Sequence, residues 1–430
     1  MTLRTLRLAW LGILLLIVLA LAAVFAWQWW DEPGRELVGS PVADHSAQLR
    51  RGEYLARAGN CLTCHTARGG KPLAGGRVMP TPFGALVTPN ITPDRETGIG
   101  QWSANEFWRA MHNGRGRNGE FLYPAFPYPN YTRVTRADSD AIHAWLLSQT
   151  PVHQPNAPHH LRFPYDQRWL LAYWRTLYFR PGVWQDDARH DATWNRGAYL
   201  VQGLGHCNAC HASRNFLGAT PLTGELTGGL IPMLNWYAPA LGGNAEGLER
   251  WDVDGLTRFM QTGASEHGAA FGPMADVVRN SLQYLSEADL RAMATYMKSL
   301  PPAAPAPVLA HLRPAVAEAL VKQGAPLYEK HCVDCHGKDG RGQGRDIPPL
   351  QGNASVTTPV AANAIRMVLH GGFAPSTRGN PRPVGMPPYG PFLSDAEVAA
   401  VVSYVRAAWG NQGAAVGADE VARLRSVPIE

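Results

Sequence analysis

The chemistry-bearing residues of this 430-residue chain fall into three short runs. Each is a cysteine pair with two residues between, followed at once by histidine: Cys61-Leu62-Thr63-Cys64-His65, Cys207-Asn208-Ala209-Cys210-His211 and Cys332-Val333-Asp334-Cys335-His336. These runs use all six cysteines. Two thiols so spaced on a helical turn suit addition across the two vinyl groups of a haem, and the adjoining histidine then points at the iron as its proximal ligand. A structural zinc site needs two such pairs close together, whereas these lie more than a hundred residues apart. A thioredoxin-like pair would be a single motif in a βαβ setting, and structural disulfides would leave the three histidines unexplained. The motifs predict three covalently bound haem c groups. Cys61, Cys64, Cys207, Cys210, Cys332 and Cys335 are the attachment points, and His65, His211 and His336 the proximal ligands.

A haem that relays electrons keeps its other axial position filled, commonly by the soft sulfur of methionine. Met274 in Gly272-Pro273-Met274-Ala275 and Met386 in Gly385-Met386-Pro387-Pro388 sit in Gly/Pro loops, where a core methionine is out of place, and are the expected distal ligands. The matching loop after the first motif reads FLYPAFPYPNY and puts Phe126, which has no lone pair, at that position. Trp102–Gly114 and Trp251–Gly263 share a helical pattern that ends at glycine. In that register Met111 matches Met260 as a core position, while His112 matches Gln261 and Leu369. Histidine thus occurs only in the copy without the loop methionine, and His112 is the expected distal ligand of the first iron. An open five-coordinate iron, Met79, Tyr123 and Tyr128 are the alternatives. The plain reading of His112 is a helix-end histidine facing water, favoured by the helix dipole.

The surroundings of the motifs repeat as well. A Gly-led helical stretch precedes each one: Gly52-Glu53-Tyr54-Leu55, Gly197-Ala198-Tyr199-Leu200 and Gly324-Ala325-Pro326-Leu327-Tyr328. A later helix opens with an S/T-x-x-D/E capping box at Thr135/Asp138, Ser286/Asp289 and Ser394/Glu397. Trp145, Tyr296 and Tyr404 follow the caps at one constant offset, so a small residue on one helix admits an aromatic from the other. The expected fold is mainly α: an N-terminal transmembrane helix followed by three tandem cytochrome c domains. The expected boundaries are 1–32 for the anchor, 45–150 for domain 1, 151–190 for a linker and 191–300 for domain 2. A Pro-rich linker at 301–314, domain 3 at 315–410 and a tail at 411–430 complete the chain.

Arg4 and Arg7 precede an uncharged segment from Leu8 to Trp30, long enough to cross a bilayer, with Trp27, Trp29 and Trp30 at its end. Positive residues ahead of the span place the N-terminus in the cytoplasm and the haem domains in the periplasm, anchored in the inner membrane. A cleaved signal peptide is the competing reading, and both export the chain. The net charge of +5 is spread over scattered arginines, with no dense basic block interleaved with aromatics, which argues against nucleic-acid binding. There is no G-x-G-x-x-G after a strand, no P-loop and no H-E-x-x-H, so no substrate-oxidising site is expected in this chain.

Asn90-Ile91-Thr92-Pro93-Asp94-Arg95-Glu96-Thr97-Gly98-Ile99-Gly100-Gln101-Trp102, Trp194-Asn195-Arg196-Gly197-Ala198-Tyr199-Leu200 and Gly272-Pro273-Met274 resemble stretches of the triple-haem cytochrome c subunits of bacterial membrane-bound dehydrogenases. The resemblance runs from about residue 45 to 410. It implies an electron-transfer subunit served by a separate catalytic subunit of molybdenum, flavin or quinoprotein type, with an iron–sulfur subunit as a further partner of the molybdenum type. The acceptor it implies is membrane ubiquinone or a terminal oxidase. Alcohol and gluconate dehydrogenase subunits of that family have methionine where Phe126 stands, and the Phe form is more similar to cytochromes of molybdenum-containing aldehyde or N-heterocycle dehydrogenases. Competing functions are a self-contained haem enzyme with peroxidase-like or sulfur-oxidising chemistry at the first iron, or a cytochrome component of a terminal oxidase. The aromatic-rich stretch Trp169–Trp184 reads as linker packing or as an interface with membrane or partner.

Overall fold

A computed structural model describes residues 3–30, 44–221, 225–243, 247–302 and 312–427. Helix α1 (Leu3–Trp30) carries no charge from Leu8 onward and buries no residue, as a bilayer-crossing helix would. Asp31, Glu32 and Pro33, which follow the predicted span, lie outside the described residues.

The first haem-motif unit starts at α2 (His45–Ala58), capped by the Asp44 carboxylate, which accepts the Ser46 and Ala47 N–H groups at 2.8 and 3.0 Å. The first cysteine pair forms the single turn α3 (Cys61–Cys64). Strands β1 (Val78–Thr81) and β2 (Gly84–Val87) form an antiparallel hairpin, and α4 (Ala104–Asn113) runs from a Ser103/Glu106 capping box to Gly114 at φ 57°. Short α5 (Tyr128–Tyr131) and long α6 (Arg136–Leu147) follow. The chain then returns: β3 (His160–Leu161) pairs with β2, Asn90 Nδ2 donates to the Val152 carbonyl at 2.7 Å, and Gln154 Nε2 donates to the Ala74 carbonyl at 2.9 Å. The stretch expected as a linker over 151–190 is therefore woven into the first unit as far as β3. Helix α7 (Leu171–Tyr178) packs along α1.

The second unit repeats the pattern. It comprises α8 (Ala192–Tyr199) continued by a π-helical turn, α9 (Asn208–His211), the hairpin β4 (Gly229–Ile231) and β5 (Trp236–Ala238), and α10 (Val253–Thr262) ending at Gly263 with φ 80°. The hairpin β6 (Ala264–Ser265) and β7 (Gly268–Ala269), α11 (Pro273–Asn280) and α12 (Glu287–Ser299) complete it. The third has α13 (Pro314–His331), α14 (Val333–His336), α15 (Ala354–Thr357) and α16 (Ala362–His370). It continues with β8 (Gly372–Phe373) paired to β9 (Gly385–Met386), α17 (Asp395–Ala407) and α18 (Ala418–Arg425). Most of the Pro-rich linker, residues 303–311, falls outside the described residues. The expected tail is not loose: α18 buries Val421 and Leu424, and the buried Arg406 guanidinium donates to the carbonyls of Ala414, Val356 and Thr358.

In each unit the first helix crosses a later one, α6, α12 or α17, at the predicted glycine. A Cβ on Gly52 would lie 2.0 Å from the Ala141 carbonyl oxygen, one on Gly197 2.0 Å from that of Ala292, and one on Gly324 2.1 Å from that of Ala400. No side chain fits there. Trp145, Tyr296 and Tyr404 press on the same glycines, as their spacing indicated.

The units are not equivalent in packing. One hydrophobic core joins the first two, running from Leu55 and Ile142 through Leu200 to Leu290, whereas the third unit has its own around Ile365, Val398 and Val421. Polar contacts across the first pair are reciprocal. Tyr54 donates to Asp289 Oδ2 at 2.5 Å and Tyr199 to Asp138 Oδ2 at 2.6 Å, each crossing from one unit to the other. Arg51 and Arg196 hold the same two carboxylates from within their own units, at 2.5 and 2.7 Å. Such two-way exchange is the pattern of an isologous dimer interface, here within one chain.

This contact changes two of the three expected capping boxes. Thr135 and Ser286 cap their helices by accepting the N–H of Asp138 and Asp289, but neither aspartate reaches back to the N-cap. A tyrosine hydroxyl from the opposite unit accepts that N–H instead, Tyr199 from Thr135 at 3.2 Å and Tyr54 from Ser286 at 3.1 Å. Aspartate is one methylene shorter than the glutamate of a full box, and its carboxylate is taken by arginine and tyrosine. Of these three, Ser394 with the longer Glu397 alone forms the reciprocal box, in the unit that has no such neighbour.

Candidate metal centres

The three C-x-x-C-H runs adopt one local geometry. Each closes a helical turn, with the histidine N–H bonded to the carbonyl of the first cysteine: His65 to Cys61 at 3.0 Å, His211 to Cys207 at 2.9 Å and His336 to Cys332 at 2.9 Å. The imidazole Nδ1 of each faces a proline carbonyl further along the chain. The partners are Pro89 at 2.8 Å, Pro239 at 2.6 Å and Pro348 at 3.3 Å. A carbonyl can only accept, so Nδ1 carries the proton and Nε2 is left with its lone pair, the form a metal requires. Burial holds all three imidazoles below the ordinary histidine range despite the opposing proline contact, keeping them neutral.

The thiols are not those of a redox dithiol, whose attacking cysteine is acidic. Burial pushes Cys61 and Cys207 up to about 12 and Cys332 up to about 11, with the partner cysteine of each pair adding to the rise. Among the described residues no group of three or more His, Cys, Asp or Glu is arranged to hold a bare metal ion. Paired protonated thiols beside a neutral imidazole fit a group that brings its own equatorial ligands, which is what a haem does.

The first two cysteine turns are neighbours. Cys64 lies close enough to Cys210 to add to the rise that burial imposes there, against Arg214. Asn280 at the end of α11 donates to Thr63 inside the first motif at 3.0 Å, and Asn130 in α5 donates to Asn208 inside the second at 2.8 Å. Each unit therefore braces the other unit's cysteine turn, through α11 in one direction and α5 in the other.

The expected distal residues occupy different settings. Met274 opens α11 just after Gly272, which at φ 53° lies against the Trp236 ring, and it packs on the shared core. Met386 lies in β9 opposite Gly372. Phe126 also packs on the shared core, edge-on to Tyr131 with ring centroids 5.3 Å apart, and Tyr131 donates to the Gly59 carbonyl just before the first motif.

His112 is buried rather than facing water. Its ring lies flat on Trp108, 4.5 Å between centroids and 9° between planes, and its Nδ1 contacts the Thr132 carbonyl at 2.8 Å. The residues of α4 that join the core with Phe126 are Phe107 and Met111, on a different face. His112, the expected distal ligand of the first iron, is thus turned about 100° from Met111 around α4, since one residue along a helix turns a side chain through that angle. Of the alternatives, Met79 lies in β1 opposite Leu86, Tyr123 stacks edge-on to His159, and the buried Tyr128 packs beneath Gly114 and Phe179.

Two features escaped sequence reasoning. The Tyr54/Asp289 and Tyr199/Asp138 pairs had a visible signal in the repeated Arg-Gly-x-Tyr of Arg51–Tyr54 and Arg196–Tyr199, which the third copy replaces with Gln323-Gly324-Ala325-Pro326. The join between second and third units had none. There Asn363 and Tyr237 exchange two hydrogen bonds of 2.8 Å, and Arg366 lies 5.0 Å above the Trp236 ring.

Helical units built around a C-x-x-C-H turn, with a neutral histidine prepared for iron, define a c-type cytochrome. Cytochrome c family profiles match residues 49–150 and 321–409. The gluconate 2-dehydrogenase cytochrome c subunit of Pantoea cypripedii is 41% identical over 400 residues, covering 89% of this chain and 90% of the relative. The cytochrome c subunit of the quinone alcohol dehydrogenase of Gluconacetobacter polyoxogenes is 39% identical over 408 residues, covering 91% and 87%. One subunit of the nicotinate dehydrogenase of Pseudomonas putida is 43% identical over 367 residues, which is 84% of this chain but 30% of that protein. The chain belongs to the family of cytochrome c subunits of bacterial dehydrogenases, electron-transfer components with covalently bound haem c.

Proposed function

We propose that this chain is a membrane-anchored tri-haem cytochrome that carries electrons from a separate catalytic subunit in the periplasm to ubiquinone or a terminal oxidase. The observation that carries the count of three is the thrice-repeated turn with Nδ1 of the histidine on a proline carbonyl. Haem c supplies reversible one-electron chemistry at iron. Cys61 and Cys64, Cys207 and Cys210, and Cys332 and Cys335 hold the three groups covalently, and His65, His211 and His336 present Nε2 to the irons. Met274 and Met386 complete the second and third sites, their thioethers favouring the reduced state. At the first site Phe126 closes the distal side without a donor, and His112 is a structural residue of the layer behind α4.

The partner we favour is a molybdenum-type large subunit with an iron–sulfur subunit, acting on an aldehyde or an N-heterocycle. Phe126 supports this reading, as does the similarity to part of a nicotinate dehydrogenase, nicotinate being an N-heterocycle. A flavin or quinoprotein partner oxidising a sugar or alcohol is the second reading, favoured by the relatives that match over nearly their whole length. Purification of the tagged chain in mild detergent, with mass spectrometry of what accompanies it and a haem-to-protein ratio, decides between them. Three haems with a molybdenum subunit is the expected result. Two haems would overturn the count, and a chain that comes alone would overturn the subunit role.

A further inference from the structure

The segment after the first unit makes contacts that its sequence alone does not explain. Helix α7 is held against the C-terminal half of α1: Tyr173 donates to the Leu21 carbonyl at 3.2 Å, and Arg175 donates to the Gln28 side chain at 3.1 Å. Arg115 of the first unit also donates to the Gln28 carbonyl, and Trp29 meets Phe121 edge-on at 6.1 Å. Trp27 marks the interfacial end of the span, and Leu21 lies six residues earlier, about 9 Å deeper at 1.5 Å per residue. A tyrosine that reaches this carbonyl brings its helix to the boundary between headgroups and acyl chains.

The outward side of this region is apolar. Trp169 is 50% exposed, Leu177 57%, Phe163 81% and Phe216 84%. They are parts of one surface, because Trp174 of α7 donates to the Leu217 carbonyl at 3.1 Å and Phe83 touches both Tyr165 and the Gly218 position. From residue 162 to 185 the charged residues are Arg162, Asp166, Arg168, Arg175 and Arg180, of which Arg175 is buried.

We infer that α7, with the neighbouring Phe163 and Phe216 loops, inserts into the headgroup boundary of the membrane as a second, interfacial attachment to the bilayer. The occupant of the exposed apolar surface is the lipid interface itself. Two arguments fix this choice over a protein partner: the surface is continuous with the spanning helix at bilayer depth, and its exposed charge is mainly positive, Arg162, Arg180 and Arg214 against Asp166, which suits anionic phospholipid headgroups. Two attachments instead of one would stop the haem units from swivelling about α1 and hold the first unit at the membrane surface.

The inference rests on α1 being a membrane span, and the test separates the two. The photoreactive p-benzoyl-phenylalanine replaces Leu177, Phe216, Phe392 or Leu16, one at a time, in the full chain in its native membrane, and adducts are read by mass spectrometry after illumination. Lipid adducts at positions 177, 216 and 16, with none at 392 on the third unit, are expected. Lipid at 16 but a polypeptide adduct, or no adduct, at both 177 and 216 would overturn the interfacial attachment alone. No lipid adduct at 16 would overturn the span and the inference with it.

Discussion

Tyr199 donates to Asp138 across the first two units at 2.6 Å and simultaneously accepts the N–H of Thr135, the residue that caps the helix on which Asp138 sits. Tyr54 does the same to Asp289 and Ser286. One hydroxyl therefore completes a helix N-terminus in the neighbouring unit and ties the two units together. The third unit, with a self-sufficient Ser394/Glu397 box, has no such tie.

Removing a hydroxyl from this arrangement leaves a buried carboxylate and a backbone N–H short of a partner. Tyr199→Phe is expected to destabilise the first two units by about 2 kcal/mol, within the range for hydrogen bonds to charged groups. Tyr54→Phe, at a more exposed site, costs less. Chemical denaturation followed at the haem absorbance checks this; an unchanged midpoint for Tyr199→Phe would contradict the role of the pair.

The same contact makes a pH prediction. Burial raises the Asp289 carboxyl, but the Arg196 guanidinium and the Tyr54 hydroxyl outweigh it and leave it below the ordinary value of 3.8. A carboxylate whose folded pKa is depressed contributes stability that is complete above the unfolded value and is lost as pH falls through the folded one. The joint between the first two units should therefore hold its Asp289 contribution from neutrality down to about pH 4 and lose it below. Asp289→Asn should be less stable near neutrality and show a flatter acid limb; an identical acid profile in the variant would count against this.

At the helix crossings Gly324→Ala would drive a methyl into the Ala400 carbonyl. Overpacking of this kind costs about 1–3 kcal/mol or more. Because the third unit has a separate core, its transition should move while that of the first two stays in place. A single shared transition moving as a whole would show that the cores melt together.

The distal assignments predict a pattern of carbon monoxide binding. In the reduced protein one haem in three should bind it, at the Phe126 site. Phe126→Met should abolish that binding, whereas Met274→Leu or Met386→Leu should each open one more site and lower that haem's potential. Binding to none of the wild-type haems would restore a sixth ligand at the first iron and reopen the case for His112.

Much of the site was legible because its chemistry is local. A cysteine pair, a histidine and the turn between them lie within five residues, so motif and geometry coincide. The crossing glycines were legible because close helix packing admits only a residue without a side chain, and the constant offset of Trp145, Tyr296 and Tyr404 marked their partners. The burial of His112, read plainly as a helix-end residue facing water, was not legible because the sequence register identifies a position but not the direction its side chain takes when the helix packs. The Asp138 and Asp289 caps were misread for a related reason. A capping box is judged from four residues, and here a tyrosine from another unit competed for both of its partners.

By itself, then, the sequence determined the three Cys-x-x-Cys-His turns, the apolar first helix and the repetition of the helical units, all of which depend on residues near one another in the chain. Tertiary structure alone decided that the first two units share a core while the third keeps its own. It also folded residues 151–161 and 411–427 into neighbouring units, and laid α7 on the first helix. Those outcomes depend on contacts between distant segments, where burial and hydrogen bonding choose among partners that local pattern leaves equivalent.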